Sequence, residues 1–171
     1  VRARSLSVAA AATALVLVQP GLAVAADDPS TTITYNVTSG ALTMSVPVSV
    51  ALGSGAPGTT ISGALGPVTV TDDRALASAS WTVTAAETDF ASGPSTIPAT
   101  SAGYDPGSIT TTGTITATTT PVTLSNSAQT VVTGSAGVGD NTATWNPTVT
   151  VHVPAAAVGG AYTGTLTQSV A

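Results

Sequence analysis

From Thr31 onward the chain alternates apolar and polar residues with a period of two, rich in Val, Thr and Ile and interrupted by clusters of Gly, Pro, Asn and Asp. That period places successive side chains on opposite faces of an extended chain, so it builds half-buried strands rather than helices. Leu42, Met44, Val46, Val48 and Val50 against Thr43, Ser45, Pro47 and Ser49 give one apolar and one small polar face. Pro47 cannot donate to a ladder, which puts that strand at an edge or on a bulge. Further strands are expected over Thr32–Val37, Pro67–Thr71, Ser80–Ala85, Gly113–Thr118, Pro121–Leu124, Thr130–Thr133, Ala143–Pro154 and Tyr162–Val170. Turns are expected at Gly53–Gly58, Ser92–Pro94, Tyr104–Gly107 and Gly137–Asn141, where Gly and Pro supply the torsions that tight turns need. The fold class is therefore all-β, a single antiparallel β-sandwich of about eight or nine strands. No fixed-period repeat points to a solenoid or propeller.

The first 26 residues have a different character. Arg2 and Arg4 precede an apolar run from Val8 to Val18, then Gln19-Pro20-Gly21, then Ala23-Val24-Ala25, with small residues at both positions a signal peptidase reads. This is the order of a secretory signal peptide, with cleavage expected after Ala25 or Ala26, and the run is shorter than the roughly 20 residues that span a bilayer. The organisation read from the sequence is thus a signal-peptide helix over 1–26 and one domain over 27–171. No second hydrophobic segment, sortase-type motif or basic tail follows, so the mature domain is expected to stand alone, secreted, and any attachment to a surface to be non-covalent. With no cysteine in the chain, packing and sheet hydrogen bonds must hold the fold without disulfides.

Charge narrows the function. The whole chain has three basic and eight acidic residues, net −5; without Arg2 and Arg4 the mature part keeps Arg74 alone and is near −7. Displacing counterions from a phosphate backbone takes lysines and arginines, so this composition argues against nucleic acid and anionic membranes as partners.

Few residues are equipped for chemistry. His152 is the only histidine and shares the threonine side of Thr148–Val153, facing solvent. No Gly-x-Ser-x-Gly motif accompanies it, and no second histidine or cysteine offers metal spacing. Neither a catalytic residue, a metal site nor a cofactor is expected. Asp72-Asp73-Arg74 and the pair Glu87 and Asp89 each follow a strand. The ordinary reading is strand ends with an Asp–Arg pair fixing a turn. The alternative is a carbohydrate-active enzyme, which needs two carboxylates about 5 to 9.5 Å apart in one cleft. Trp81 shares a strand face with Val83 and Ala85 and is expected as a core anchor; so is Trp145, with Pro147 breaking the register beyond it. A sugar-stacking platform using Trp81, Trp145 and Tyr162 is the functional alternative.

Val68-Thr69-Val70-Thr71-Asp72-Asp73-Arg74, then Trp81-Thr82-Val83-Thr84-Ala85 and Asp89-Phe90, resemble the first half of the WxL domain of bacterial cell-surface proteins. Tyr162, Leu166 and Thr167 match the closing motif of that family, Tyr-x-x-x-Leu-Thr-Trp-x-Leu, with Gln168 in place of its Trp and Val170 in place of its Leu. The resemblance implies a secreted β-rich domain bound non-covalently to the cell wall through peptidoglycan, or to another surface protein. It also implies ligand-binding motif positions at Trp81, Val83, Tyr162, Leu166, Gln168 and Val170. Gln168 removes an aromatic surface and adds an amide that must be hydrogen-bonded if buried. The expected function is a non-enzymatic surface domain of this type. The runner-up is a self-assembling subunit of a surface layer or fibre, because uncharged Thr-rich strand edges are poorly protected against pairing between chains.

Overall fold

Alternating burial runs through the strands much as the sequence period demands. The computed structural model describes residues 30–171; the expected signal segment lies outside them. Of these, residues 30–35 and residues from Asn36 onward fall in separate units, and every described strand belongs to Asn36–Ala171. Among the described residues there are twelve strands: β1 (Leu42–Ser45), β2 (Thr60–Ala64), β3 (Val68–Asp72), β4 (Ala79–Glu87), β5 (Phe90–Ser92), β6 (Ser95–Ile97), β7 (Ala102–Asp105), β8 (Ile109–Thr119), β9 (Val122–Thr123), β10 (Gln129–Trp145), β11 (Thr148–His152) and β12 (Leu166–Val170). All pairings are antiparallel.

The largest sheet has the order β1-β3-β10-β4-β12, with β8 along the other side of β10. β10 organises it. Its first half pairs with β4 and its second half with β3, while β8 follows it almost end to end. Register shifts at Gly134/Gly137 and Val138/Thr142 bend β10 between those halves, as bulges do. The bend brings the sheet's outer strands, β1 and β12, near one another, so this sheet nearly closes into a barrel-like wall. A second sheet, β2-β11-β7-β9, and the hairpin β5-β6 complete the unit. Val68, Val70, Trp81, Val83 and Trp145 from the large sheet meet Tyr104, Val149 and Val151 from the second in one buried cluster.

The all-β antiparallel class holds; its details differ from the sequence reading. Thr32–Val37 is not a strand, and only Leu42–Ser45 of the expected run to Val50 pairs. Ala143–Pro154 is not one strand: the chain leaves the large sheet after Trp145, turns through Asn146 and a buried Pro147, and enters the second sheet as β11. Gly137–Asn141 lies inside β10, where its turn-forming residues serve the bulges, with Ala136 at φ 54° and Gly139 at φ 65°. Strands β2, β5, β6 and β7 have no counterpart in the expected set. At Ser92-Gly93-Pro94 the expected turn joins β5 to β6, and Gly93 takes a positive φ there.

Candidate functional site

The outward face of the large sheet carries an ordered field of hydroxyls. Val68, Val70, Ala143 and Trp145 point inward, which leaves Thr69, Thr71, Thr142 and Thr144 on the other face. Strand register aligns these with their neighbours into two ranks, Ser45–Thr69–Thr144–Thr110 and Thr43–Thr71–Thr142–Thr112. Each rank crosses four strands and contains only Thr or Ser. Neighbours in a rank stand about 4.8 Å apart and the ranks about 6.6 Å apart, from ordinary strand geometry. Thr69 and Thr144 share a hydroxyl hydrogen bond of 3.0 Å, and Thr112 and Thr142 one of 2.5 Å. Thr114, Thr116 and Thr118 continue the β8 file, all exposed. No charged and no aromatic side chain stands in either rank.

The two motif segments of the sequence lie on neighbouring strands. β12 pairs with β4 so that Val170 opposes Val83, Gln168 opposes Ala85 and Leu166 opposes Glu87. Their side chains differ in access. Trp81 and Val83 are 2% and 0% exposed and belong to the core, Trp81 lying against Gly134 of β10. Tyr162, Leu166, Gln168 and Val170 are half-buried. Gln168 has the partner its amide requires: Tyr104 Oη donates to Gln168 Oε1 at 2.9 Å, while Trp145 Nε1 donates to Tyr104 Oη at 3.0 Å. Burial pushes the Tyr104 phenol up to about 12, so this relay keeps its proton. Tyr162 Oη donates to the Val158 carbonyl at 2.9 Å.

Tyr162, Leu166 and Gln168 also line a groove of about 740 Å³, which Trp81, Val83 and Val170 do not reach. The irregular stretch from Val46 to Gly55 lines it as well, and Ile61, Phe90, Val149 and Val151 add apolar surface. Glu87 is the one ionisable carboxyl lining it. That carboxyl is 5% exposed, its Oε1 has no hydrogen-bond partner, and desolvation pushes its pKa up to about 7. A Cβ on Gly164 would collide with Glu87 Oε1 and the Phe90 ring, so this glycine lets β12's approach lie close over the acid.

The other carboxylates have separate occupations. Asp72 is fully buried and takes Arg74 Nε on Oδ1 at 2.8 Å and Nη2 on Oδ2 at 2.9 Å; Arg74 also donates to the Ser80 carbonyl at 2.9 Å. The Arg74 guanidinium holds the Asp72 carboxyl below the usual range. Asp89 Oδ1 accepts from the Ala99 amide at 2.9 Å. Arg74 thus ties Asp72 to the start of β4 while Glu87 ends that strand, about 20 Å away along it. No group of three or more potential metal ligands converges among the described residues. His152 is exposed and shares a 2.9 Å hydrogen bond with Thr60.

The hydroxyl ranks are absent from the sequence reading, although the Thr-x-Thr spacing is visible in it, because which threonines align across strands depends on register. Tyr104 reads from the sequence as part of a turn, and its place in the buried relay is a finding of the structure alone. Comparison with protein-family models, curated proteins and solved structures finds no match in any of the three.

Proposed function

We propose that this chain is a secreted, non-enzymatic surface domain of the WxL type, a sandwich-like β-domain that associates non-covalently with the peptidoglycan of the cell wall. The observation that carries this reading is the pair of hydroxyl ranks on the large sheet. A glycan offers repeated hydroxyls and ring hydrogens, and an array of threonines offers repeated hydroxyls and methyls in return. Individual bonds of that kind are worth only about 0.5–1.5 kcal/mol net, so affinity comes from many of them in register. The uncharged face suits a neutral polymer, and the acidic balance of the whole chain disfavours wall phosphates. In this reading Trp81 and Val83 act from the core by holding β4 in place beside β12, and only the half-buried positions around Gln168 are open to contact.

The test is co-sedimentation of the protein with purified peptidoglycan, comparing wild type with a Thr71→Val/Thr142→Val double variant that keeps the side-chain shape and removes two hydroxyls. Binding by wild type and a loss of about tenfold in the variant is the expected result, near the 1.4 kcal/mol that two modest hydrogen bonds supply. Equal binding by both, or none by folded wild type, would overturn the reading.

A further inference from the structure

The inward file of β4 ends on an acid. Its buried positions are Ala79, Trp81, Val83, Ala85 and Glu87, and the first four are apolar. Parity therefore carries Glu87 into the interior with the core residues, at the end of the strand that meets the groove. A carboxyl buried without a partner is destabilising, and an apolar side chain at this place would not be. Oε1 has no hydrogen-bond partner, and Gln168 on the adjoining strand is already engaged with Tyr104. No basic side chain lines the groove. Arg74, the only one among the described residues, is paired with Asp72 about 20 Å away.

The groove supplies the rest of a binding site. Its volume of about 740 Å³ falls within the roughly 300–1,000 Å³ of small-molecule clefts. Val149 and Val151 of β11 and Leu166 of β12 line it from the two sheets, with Phe90 beside them. Val46, Val48, Val50 and Val158 also line it, and they are 43%, 105%, 44% and 64% exposed. Exposed apolar side chains gathered at one cleft, rather than scattered singly, mark a surface that a ligand covers. Charge selects the ligand. Glu87 is 5% exposed and lines the groove, so its carboxyl is approached from that side, and it favours a cation over an anion. A metal ion would need several oxygen ligands, and no group of three or more converges among the described residues.

We propose that this groove binds a small amphiphile, a hydrocarbon body carrying a primary ammonium, with the ammonium on the Glu87 carboxylate and the hydrocarbon against Leu166, Val149, Val151 and Phe90. An ammonium has three donors and no acceptor, which is what a carboxylate without a base lacks. The hydrocarbon covers the valines at the groove's rim and excludes water from the ion pair, and that strengthens it. The hydroxyl ranks lie on the opposite, outward face of the large sheet, so this inference does not depend on wall binding.

The experiment is isothermal titration of the protein with octylamine, octanol and octanoate at about pH 8, where the Glu87 carboxyl, pushed up to about 7, is ionised. Glu87→Gln and Val50→Trp variants are titrated alongside, their folding checked by circular dichroism. Wild type is expected to bind octylamine at least about tenfold more tightly than octanol, because only the amine makes a charge-assisted hydrogen bond, and not to bind octanoate. Glu87→Gln should bind octylamine and octanol alike. Val50→Trp, at a position exposed enough to accept the larger side chain, should weaken both by closing the groove. No binding of octylamine by wild type, octanoate bound as well as the amine, or full binding by Val50→Trp would overturn the proposal. An amine preference that survives in folded Glu87→Gln would overturn it too, and would assign the attraction to the acidic surface at large. Were Glu87→Gln not to fold, the order of the three ligands on wild type and the Val50→Trp result would still decide.

Discussion

Glu87 stands at the end of β4 with its carboxyl desolvated, and the cost appears as pH dependence. Its pKa rises from 4.5 to about 7. Below the unfolded value both states hold the proton and full stability is present. Between the two values the folded chain keeps a proton that the unfolded chain has released, so stability falls as pH rises and levels off above about 7. The window corresponds to about 3 kcal/mol. Glu87→Gln imitates the protonated acid, so thermal melts from about pH 5 to pH 8 should show a falling Tm for wild type and a flat one for the variant. A wild-type Tm that does not fall would mean the carboxyl is solvated. Gln168 makes a related point about reading sequence. That its amide needed a partner was legible from its parity on the last strand. Tyr104 as the partner was not, because 64 residues separate them and Tyr104 sits beside Asp105-Pro106-Gly107, where local turn chemistry dominates.

At the scale of elements, period two was legible wherever bulky residues carried it, as in β3, β4 and β12. It failed where small residues blurred it, in β2 with Thr-Ile-Ser-Gly-Ala and β7 with Ala-Gly-Tyr-Asp. The pattern alone also cannot tell a paired strand from one without a neighbour, which is why Thr32–Val37 reads as a strand. β10 shows the converse error: Gly137–Asn141 reads as a turn because turns and bulges share the positive torsion that Gly139, like Ala136, takes here. Another glycine of β10, outside that expected turn, has a different task. Gly134 lies opposite Trp81 in the β10–β4 register, and a Cβ there would fall within the indole. Gly134→Ala should therefore cost about 3 kcal/mol by overpacking, seen as a lower denaturation midpoint with an unchanged denaturant slope. An unaffected midpoint would show that the indole can move aside.

For the molecule as a whole, Arg74 is the only basic side chain in the described residues, and it is spent on structure. It joins the end of β3 to the start of β4, where the large sheet divides between the halves of β10. Arg74→Gln leaves a buried carboxylate uncompensated and should cost about 3–5 kcal/mol. Adding Asp72→Asn should restore most of it, and urea melts of the two variants would separate loss of the ion pair from loss of packing. The same economy of charge bears on exposure to proteases. Those that cut after arginine or lysine find one such bond among the described residues, Arg74–Ala75. That arginine is locked in a two-pronged grip on Asp72, and the residue after it has a left-handed backbone at φ 52°. A chain so poor in basic residues offers trypsin-like enzymes almost nothing to hold, and the one candidate bond among its described residues is folded out of the extended shape that they require.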